Sequence, residues 1–394
     1  MDVTRLCSDL VKIRSENPPG NTEAAVHYIG ELLAAGGIRF TTTKCRDGRS
    51  NLITEPAGTG LLLCGHVDVV PAIRDGWSVD PFSGILRDGS VWGRGATDMK
   101  GGCAALISAF MAFVEANGQA PAQLAFVCDE ETGGDCGIRH LVAHHLVLPC
   151  DCLIAEPTPA LHPNIGQKGL VRLEMRFSGS PGHGSLYPAI GRSAIAEALS
   201  FMQYIGSLPD RKFPHSRSLE EIISRSSNVL SEEFGLPHTS EILTSIMFNP
   251  GIIAGGEKSN IVAQRCDLDL EMRIPWGCDI PALIDDLRKH APYGTIVSET
   301  SHTPSLTDPE SRIVTAICRA VEKTYGRPAS PIVQWAASDA RHLRAAGFRV
   351  AEYGPGELRL LHAIDEHVKT ESLEKAVTVY LAVMQDYVLQ KKND

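Results

Sequence analysis

The chain has 394 residues, of which 43% are hydrophobic, 21% charged and 6% aromatic; this composition excludes a mostly disordered chain and predicts about two or three domains. Lysine plus arginine number 37 against 47 aspartate plus glutamate, a net charge of −10. Without a dense basic run, that balance argues against nucleic-acid and anionic-membrane binding, and the longest apolar stretches fall far short of the ~20 residues a membrane span needs.

Residues 1–5 show no basic stretch followed by an apolar region, so no secretory signal is expected. Val3, Leu6, Leu10 and Ile13 recur at helical spacing, and Asn17-Pro18-Pro19-Gly20 stops that helix. A second amphipathic helix carries Ala25, Val26, Ile29, Leu32 and Leu33. Residues 61–64 are apolar on both faces, as a buried strand should be, and 124–127 and 152–155 repeat the pattern. Helices are predicted between these strands at 99–113 and 138–147. Alternating buried strands and helices indicate an α/β layer around a largely parallel sheet.

The pattern changes near Lys168. Val171, Leu173, Met175 and Phe177 alternate with charged residues, and so do Cys266, Leu268, Leu270, Met272 and Ile274. Clean period-2 alternation means strands with one wet face. A helix over 193–205, a strand over 242–248, a helix over 281–290 and a strand over 295–298 complete a β-α-β-β-α-β order, which fits a ferredoxin-like module. Helical α/β material resumes at 311–325 and runs through 371–389. The expected organisation is a discontinuous main domain, 1–167 plus 305–394, with 168–304 inserted, and the polar stretch 209–238 as an excursion from the insert. Eleven cysteines, an odd count with no Cys-x-x-Cys pair, read as reduced core thiols and point to the cytoplasm. The tail, residues 390–394, carries no recognisable address and is expected to fray.

In open α/β sheets, ligands bind beyond the carboxyl ends of the strands. Three such ends carry metal-capable groups: Gly65-His66-Val67-Asp68, Asp129-Glu130-Glu131-Thr132-Gly133-Gly134 and Glu156-Pro157-Thr158. A fourth carboxylate, Asp98, sits where a Gly-rich loop opens into a helix. Singly, each has an ordinary explanation: a surface pair, a helix cap, a solvated acidic turn. Together they would crowd unpaired negative charge into one cleft, which is costly unless cations neutralise it. His140 and His144 share i,i+4 spacing but lack the catalytic glutamate of a helical zinc motif.

These motifs, with Val69-Val70-Pro71, residues 93–102 and Leu361-His362-Ala363-Ile364-Asp365-Glu366, resemble the di-zinc aminoacylase/carboxypeptidase family, which includes acetylornithine deacetylase, succinyl-diaminopimelate desuccinylase and glutamate carboxypeptidase. The resemblance runs nearly end to end. It implies a phosphorylase/hydrolase-like α/β catalytic domain with a mostly parallel central sheet, plus an inserted ferredoxin-like α+β dimerisation domain. It implies two divalent metals bridged by Asp98, with His66 and Glu156 on one and Glu131 and His362 on the other, and a cis peptide at Asp98–Met99. Mixed imidazole and carboxylate donors suit Zn²⁺, with Co²⁺ or Mn²⁺ as substitutes. Glu130 is then the general base, acting on a bridging water, and Asp68 accepts the second ring N–H of His66. His183 corresponds to a histidine that reaches the partner subunit's active site as an oxyanion donor, Arg273 to a carboxylate clamp, and Asn260 to a second substrate contact. Ser338 and Asp339 match a loop lining the cleft.

The expected activity is removal of an acyl group from an N-acyl amino acid or related small carboxylate substrate by a cytoplasmic homodimer. The alternatives are a carboxypeptidase or dipeptidase acting on short peptides or folate-like glutamates, and a non-catalytic metabolite-binding protein.

Overall fold

A computed structural model describes residues 1–46 and 48–391; residues 392–394 of the tail lie outside the described residues. The larger of two hydrophobic cores surrounds a nine-stranded mixed sheet. Its centre is parallel: Gln123–Val127, Leu61–His66, Asp151–Ile154 and Arg349–Glu352 lie side by side, with Leu63 in register with both Leu124 and Leu153. The flanks turn antiparallel, through Arg49–Thr54 and Phe40–Arg46 on one side and Asn164–Gln167 and Ser305–Leu306 on the other, where Ile332–Gln334 also pairs in parallel with Asn164–Gln167. The central strands are buried on both faces, so their sequences read as continuous apolar runs. Because neighbouring parallel strands end level, the loops after His66, Val127 and Ile154 meet at one edge of the sheet.

The helix Lys100–Asn117 buries almost its whole first half. Its Gly102 lies against the end of a central strand: a Cβ there would come within 2.2 Å of the Ala155 carbonyl oxygen. Only glycine allows that approach, and the approach brings the Asp98 loop to the strand ends. The Asp98–Met99 peptide is cis. Among the described residues, no helix is long and apolar enough to cross a membrane.

The second core lies beneath a four-stranded antiparallel sheet. Gly169–Ser178, Met247–Gly255, Arg265–Ile274 and Gly294–His302 pair in the order fourth, first, third, second, the ferredoxin-like arrangement. Val171, Leu173, Leu270 and Met272 face the helices Ala194–Ile205 and Ile280–Lys289, while Arg172–Glu271 and Arg176–Asp267 form cross-strand ion pairs on the wet face.

Several expectations need correction. The apolar run 242–248 is not one strand: the helix Thr239–Thr244 buries Leu243 in the larger core, and the strand Met247–Gly255 starts after Ile246, which packs in the smaller one. A short apolar run carries no period, so sequence could not divide it. The stretch 209–238 is not an excursion of the insert. It forms the helix Arg217–Phe234, capped by Ser216, which buries Leu219, Ile222, Ile223 and Leu230 in the larger core. There Ser226 Oγ accepts the Val333 N–H at 2.9 Å, tying the helix to the main sheet. The helix after Gly137 stops at Ala143, not 147, and His145 has a positive φ of 55°. Finally, not all cysteines are free thiols: Cys45 and Cys136 are disulfide-bonded, with Cα atoms 5.2 Å apart. The pair is 91 residues apart in sequence and is brought together because Asn51, on the strand paired to that of Cys45, donates to the Cys136 carbonyl at 2.9 Å.

Candidate metal centre

Five side chains from four loops and one strand end converge as the motifs predict. The His66 ring donates from Nδ1 to the Asp68 main-chain carbonyl at 2.9 Å, which leaves Nε2 facing the cleft. Nε2 lies 3.1 Å from Asp98 Oδ1 and 3.6 Å from Glu156 Oε1. On the other side of Asp98, Oδ2 lies 3.3 Å from His362 Nε2, which in turn is 3.3 Å from Glu131 Oε2. The result is two triads, His66–Asp98–Glu156 and Asp98–Glu131–His362, each with its donor atoms within 4.8 Å of one another and with Asp98 common to both. The second oxygen of Glu131 is buried with no hydrogen-bond partner. Imidazole and carboxylate donors around a shared aspartate, with an orphaned carboxylate oxygen, fit a pair of divalent cations; three ligand carboxylates offset most of their charge.

Asp68 does something other than expected. Its carboxylate stands 3.6 Å from the His66 ring, too far for a hydrogen bond. Its oxygens instead accept the Glu130 and Glu131 N–H groups at 3.3 and 3.2 Å and the Asn17 amide at 2.9 Å. Asp68 therefore holds the main chain of the loop that carries both acidic residues, which form a short 3₁₀ turn, Glu130–Thr132. Asp129, at a positive φ of 73°, is fixed at the base of that turn by Arg49, Asn17, Thr132 and the Cys136 N–H.

Sequence reasoning missed the ion pair that organises the rest. Glu366, fully buried, accepts the N–H groups of Thr97 and Asp98 at 2.9 and 3.0 Å and pairs with Arg94 Nη1 at 2.5 Å. Arg94 Nη2 donates to the His362 carbonyl at 3.2 Å. One pair thus positions the shared aspartate and the C-terminal histidine together. Glu366 lies inside a motif noted above; its partner is 272 residues away, beyond any local pattern.

Burial pushes the carboxyls of Glu130, Glu156 and Glu131 above their usual range, and Asp98 raises the last two further. Burial alone would raise Asp98 too, but hydrogen bonds with His362 and His66 hold it well below. Hydrogen bonds to Asp98 and Glu131 pull His362 up to about 10. Burial opposes charge on His66, but the surrounding carboxylates outweigh it and raise it well above 6.5. Since the folded value for His362 lies above its ordinary one, its contribution to the metal-free fold is complete below about pH 6.5 and is lost as pH rises through about 10. Metal must displace these protons. We expect Zn²⁺ affinity of the stripped protein to rise between pH 6 and 9 by about ten-fold per pH unit for each imidazole still protonated. Competition with a chromogenic chelator measures this, and a flat profile would contradict it.

The cleft above the centre encloses about 340 Å³ and is lined by Glu130, Glu156, His362, Arg273 and Ser338 among others. Arg273 reaches it from the inserted sheet; Nε and Nη2 engage Glu271 at 3.1 and 2.8 Å, and Nη1 is buried without a partner. Ser338 lines the cleft, as its loop was expected to, with its hydroxyl engaged by Glu352 and by Gln167 at 3.1 Å. Next to it, Asp339 is buried with both carboxylate oxygens unpartnered, and burial pushes it up to about 7. His183 and Asn260 are exposed, adjacent to each other through the Gly184 N–H to Asn260 carbonyl bond at 2.9 Å, and do not line this cleft. The His140 and His144 rings lie against each other, tilted by 38°, away from the centre.

Residues 62–386 match peptidase family M20/M25/M40. A succinyl-diaminopimelate desuccinylase of Stenotrophomonas maltophilia is 30% identical over 335 residues, 81% of this chain and 82% of that protein. An M20 family metallo-carboxypeptidase from Sulfolobus solfataricus superimposes with a TM-score of 0.80 at 19% identity, covering 99% of this chain and 100% of the other. A dinuclear metal-binding M20 peptidase from Bacillus subtilis does so with a TM-score of 0.64 at 13% identity, covering 99% and 98%. The chain is therefore a hydrolase of amide bonds and belongs to peptidase family M20/M25/M40.

Proposed function

We propose that the chain is a two-metal deacylase that removes the acyl group from an N-acyl amino acid or related small carboxylate, of the acetylornithine deacetylase or succinyl-diaminopimelate desuccinylase type. The observation that carries the reading is the pair of donor triads sharing Asp98 in the cleft that Glu130 lines. His66, Asp98 and Glu156 would hold one ion, and Asp98, Glu131 and His362 the other, with Zn²⁺ the best match and Co²⁺ or Mn²⁺ as substitutes. When bound, the ions supply Lewis acidity and bring the pKa of an attacking water toward neutrality. Glu130 takes the proton of that water as oxygen adds to the amide carbon, and returns it to the nitrogen as the C–N bond breaks, releasing a carboxylate and an amine. Arg273 Nη1, a buried donor lacking a partner, clamps the substrate carboxylate.

The insert makes this enzyme a homodimer in our reading. His183 and Asn260 sit together outside their own chain's cleft, which supports their serving the partner's cleft, His183 as the oxyanion donor and Asn260 as a substrate contact. We place the enzyme in the cytoplasm because nine of its eleven cysteines are free thiols against the single Cys45–Cys136 disulfide.

The test is amine release from N-acetyl, N-succinyl and N-formyl amino acids and from dipeptides, with Zn²⁺, Co²⁺ or Mn²⁺ and with a chelator. We expect metal-dependent release from acyl amino acids. We also expect Arg273→Ala to raise KM about ten- to a hundred-fold for free carboxylates, the worth of a charged hydrogen bond, and far less for their amides. Release from dipeptides alone would replace the deacylase reading with a peptidase.

A further inference from the structure

Three guanidinium groups line the cleft: Arg172, Arg273 and Arg341. Arg172 is half-exposed and already paired with Glu271 at 2.8 Å. Arg341 differs. It is the second residue of the short helix Ala340–Ala345, is only 9% exposed, and has no carboxylate within ion-pairing distance among the described residues. Its Nη1 donates to the Ser338 carbonyl at 2.8 Å, which fixes the plane of the group. The opposite edge, Nε and Nη2, makes no hydrogen bond among the described residues, and Nε is buried.

A buried cation without a counter-ion is expensive. Asp339 is adjacent in sequence and within electrostatic range, since Arg341 pulls its carboxyl down against burial, yet both its oxygens are unpartnered, so it forms no hydrogen bond to the guanidinium. Glu130 lies within electrostatic range but likewise forms no ion pair with it. The free Nε/Nη2 edge has the fork geometry that takes a carboxylate with two parallel hydrogen bonds. It stands in the same cleft as the unpartnered Nη1 of Arg273, which enters from the other domain.

We propose that Arg341 seats a second carboxylate of the substrate, so that the enzyme selects N-acyl amino acids bearing two carboxylates over those bearing one. This rests on the deacylase reading above and deepens it by naming the substrate class. The second carboxylate has two sources, a dicarboxylic acyl group or an acidic amino acid, and both present the same chemistry to Arg341.

The experiment compares kcat/KM of the metal-loaded enzyme for carboxylate and carboxamide twins in two arms. One arm is N-succinyl-L-alanine against N-succinamoyl-L-alanine. The other is N-acetyl-L-glutamate against N-acetyl-L-glutamine. In the wild type, we expect one arm to prefer the carboxylate by about ten- to a hundred-fold, as a charged hydrogen-bond pair provides; the arm that does so identifies the source. Arg341→Gln should collapse that ratio to within about three-fold whatever its absolute rate, and Arg341→Lys should restore part of it. A role limited to holding the fold or offsetting Glu130 would lower both twins alike and leave the ratio, which overturns the proposal. Equal wild-type rates for both pairs of twins also overturn it, without any variant, while leaving the deacylase reading intact. If only dipeptides are cleaved, the deacylase reading fails by itself, and the same comparison with Asp/Asn and Glu/Gln dipeptides decides the role of Arg341.

Discussion

Replacing Glu130 with glutamine is expected to lower kcat by at least about 10²–10⁴-fold, the usual contribution of a positioned general base, while the protein still binds two metal ions per chain. The two parts of this result are separable because neighbouring residues do different jobs. Glu131 reaches His362 and belongs to a donor triad, whereas Glu130 belongs to neither triad and lines the cleft. The Asp68 carboxylate holds both main-chain N–H groups, so the substitution leaves the turn in place. Glutamine keeps the size of the side chain and removes only its capacity to take a proton. Metal analysis alongside steady-state kinetics makes the distinction. Wild-type rates would remove Glu130 from the mechanism, and loss of metal would make it a ligand.

The second large effect is on stability. Arg94→Ala should destabilise the metal-free protein by about 3–5 kcal/mol, the cost of breaking a buried ion pair and leaving its partner uncompensated. The loss should depend on pH. Burial raises Glu366 to about 7 even with Arg94 beside it, and a carboxyl whose folded value is raised contributes most below its ordinary range and loses that contribution as pH rises. Without Arg94 the folded value climbs further, so the deficit should be small at pH 5 and full at pH 8. Urea denaturation at the two pH values reads this directly. An equal deficit at both would show that Glu366 carries no charge that Arg94 offsets. The same variant releases the Asp98 and His362 loops, so weaker metal binding should accompany it.

The meeting of three motifs was legible because parallel strands end level: His66, the Asp129–Gly134 loop and Glu156 come together once 61–64, 124–127 and 152–155 are read as neighbours, whereas the bridging role of Asp98 and the place of His362 came from the family resemblance alone. The alternating strands of the insert were equally readable, since a half-wet sheet writes its period into the sequence. What stayed hidden depends on side-chain direction or long-range partners. Whether Asp68 meets the His66 ring or the Glu130 and Glu131 amides is settled by a loop a few residues long, and no period records it. The Arg94–Glu366 and Cys45–Cys136 pairs join residues 272 and 91 positions apart, without a spacing rule. The helix Arg217–Phe234 looked like a polar excursion because its buried stripe is narrow and flanked by Ser, Glu and Arg; only its contact with the main core assigns it.

The central claim is that two divalent cations share Asp98. Crystals of chelator-stripped protein soaked in Zn²⁺ and measured at the zinc absorption edge test it most directly. Two anomalous peaks are expected, one on each side of Asp98, the first within about 2.0–2.2 Å of His66 and Glu156 donors and the second equally close to Glu131 and His362. A single peak, or peaks that leave Asp98 without a bond to both, would contradict the account.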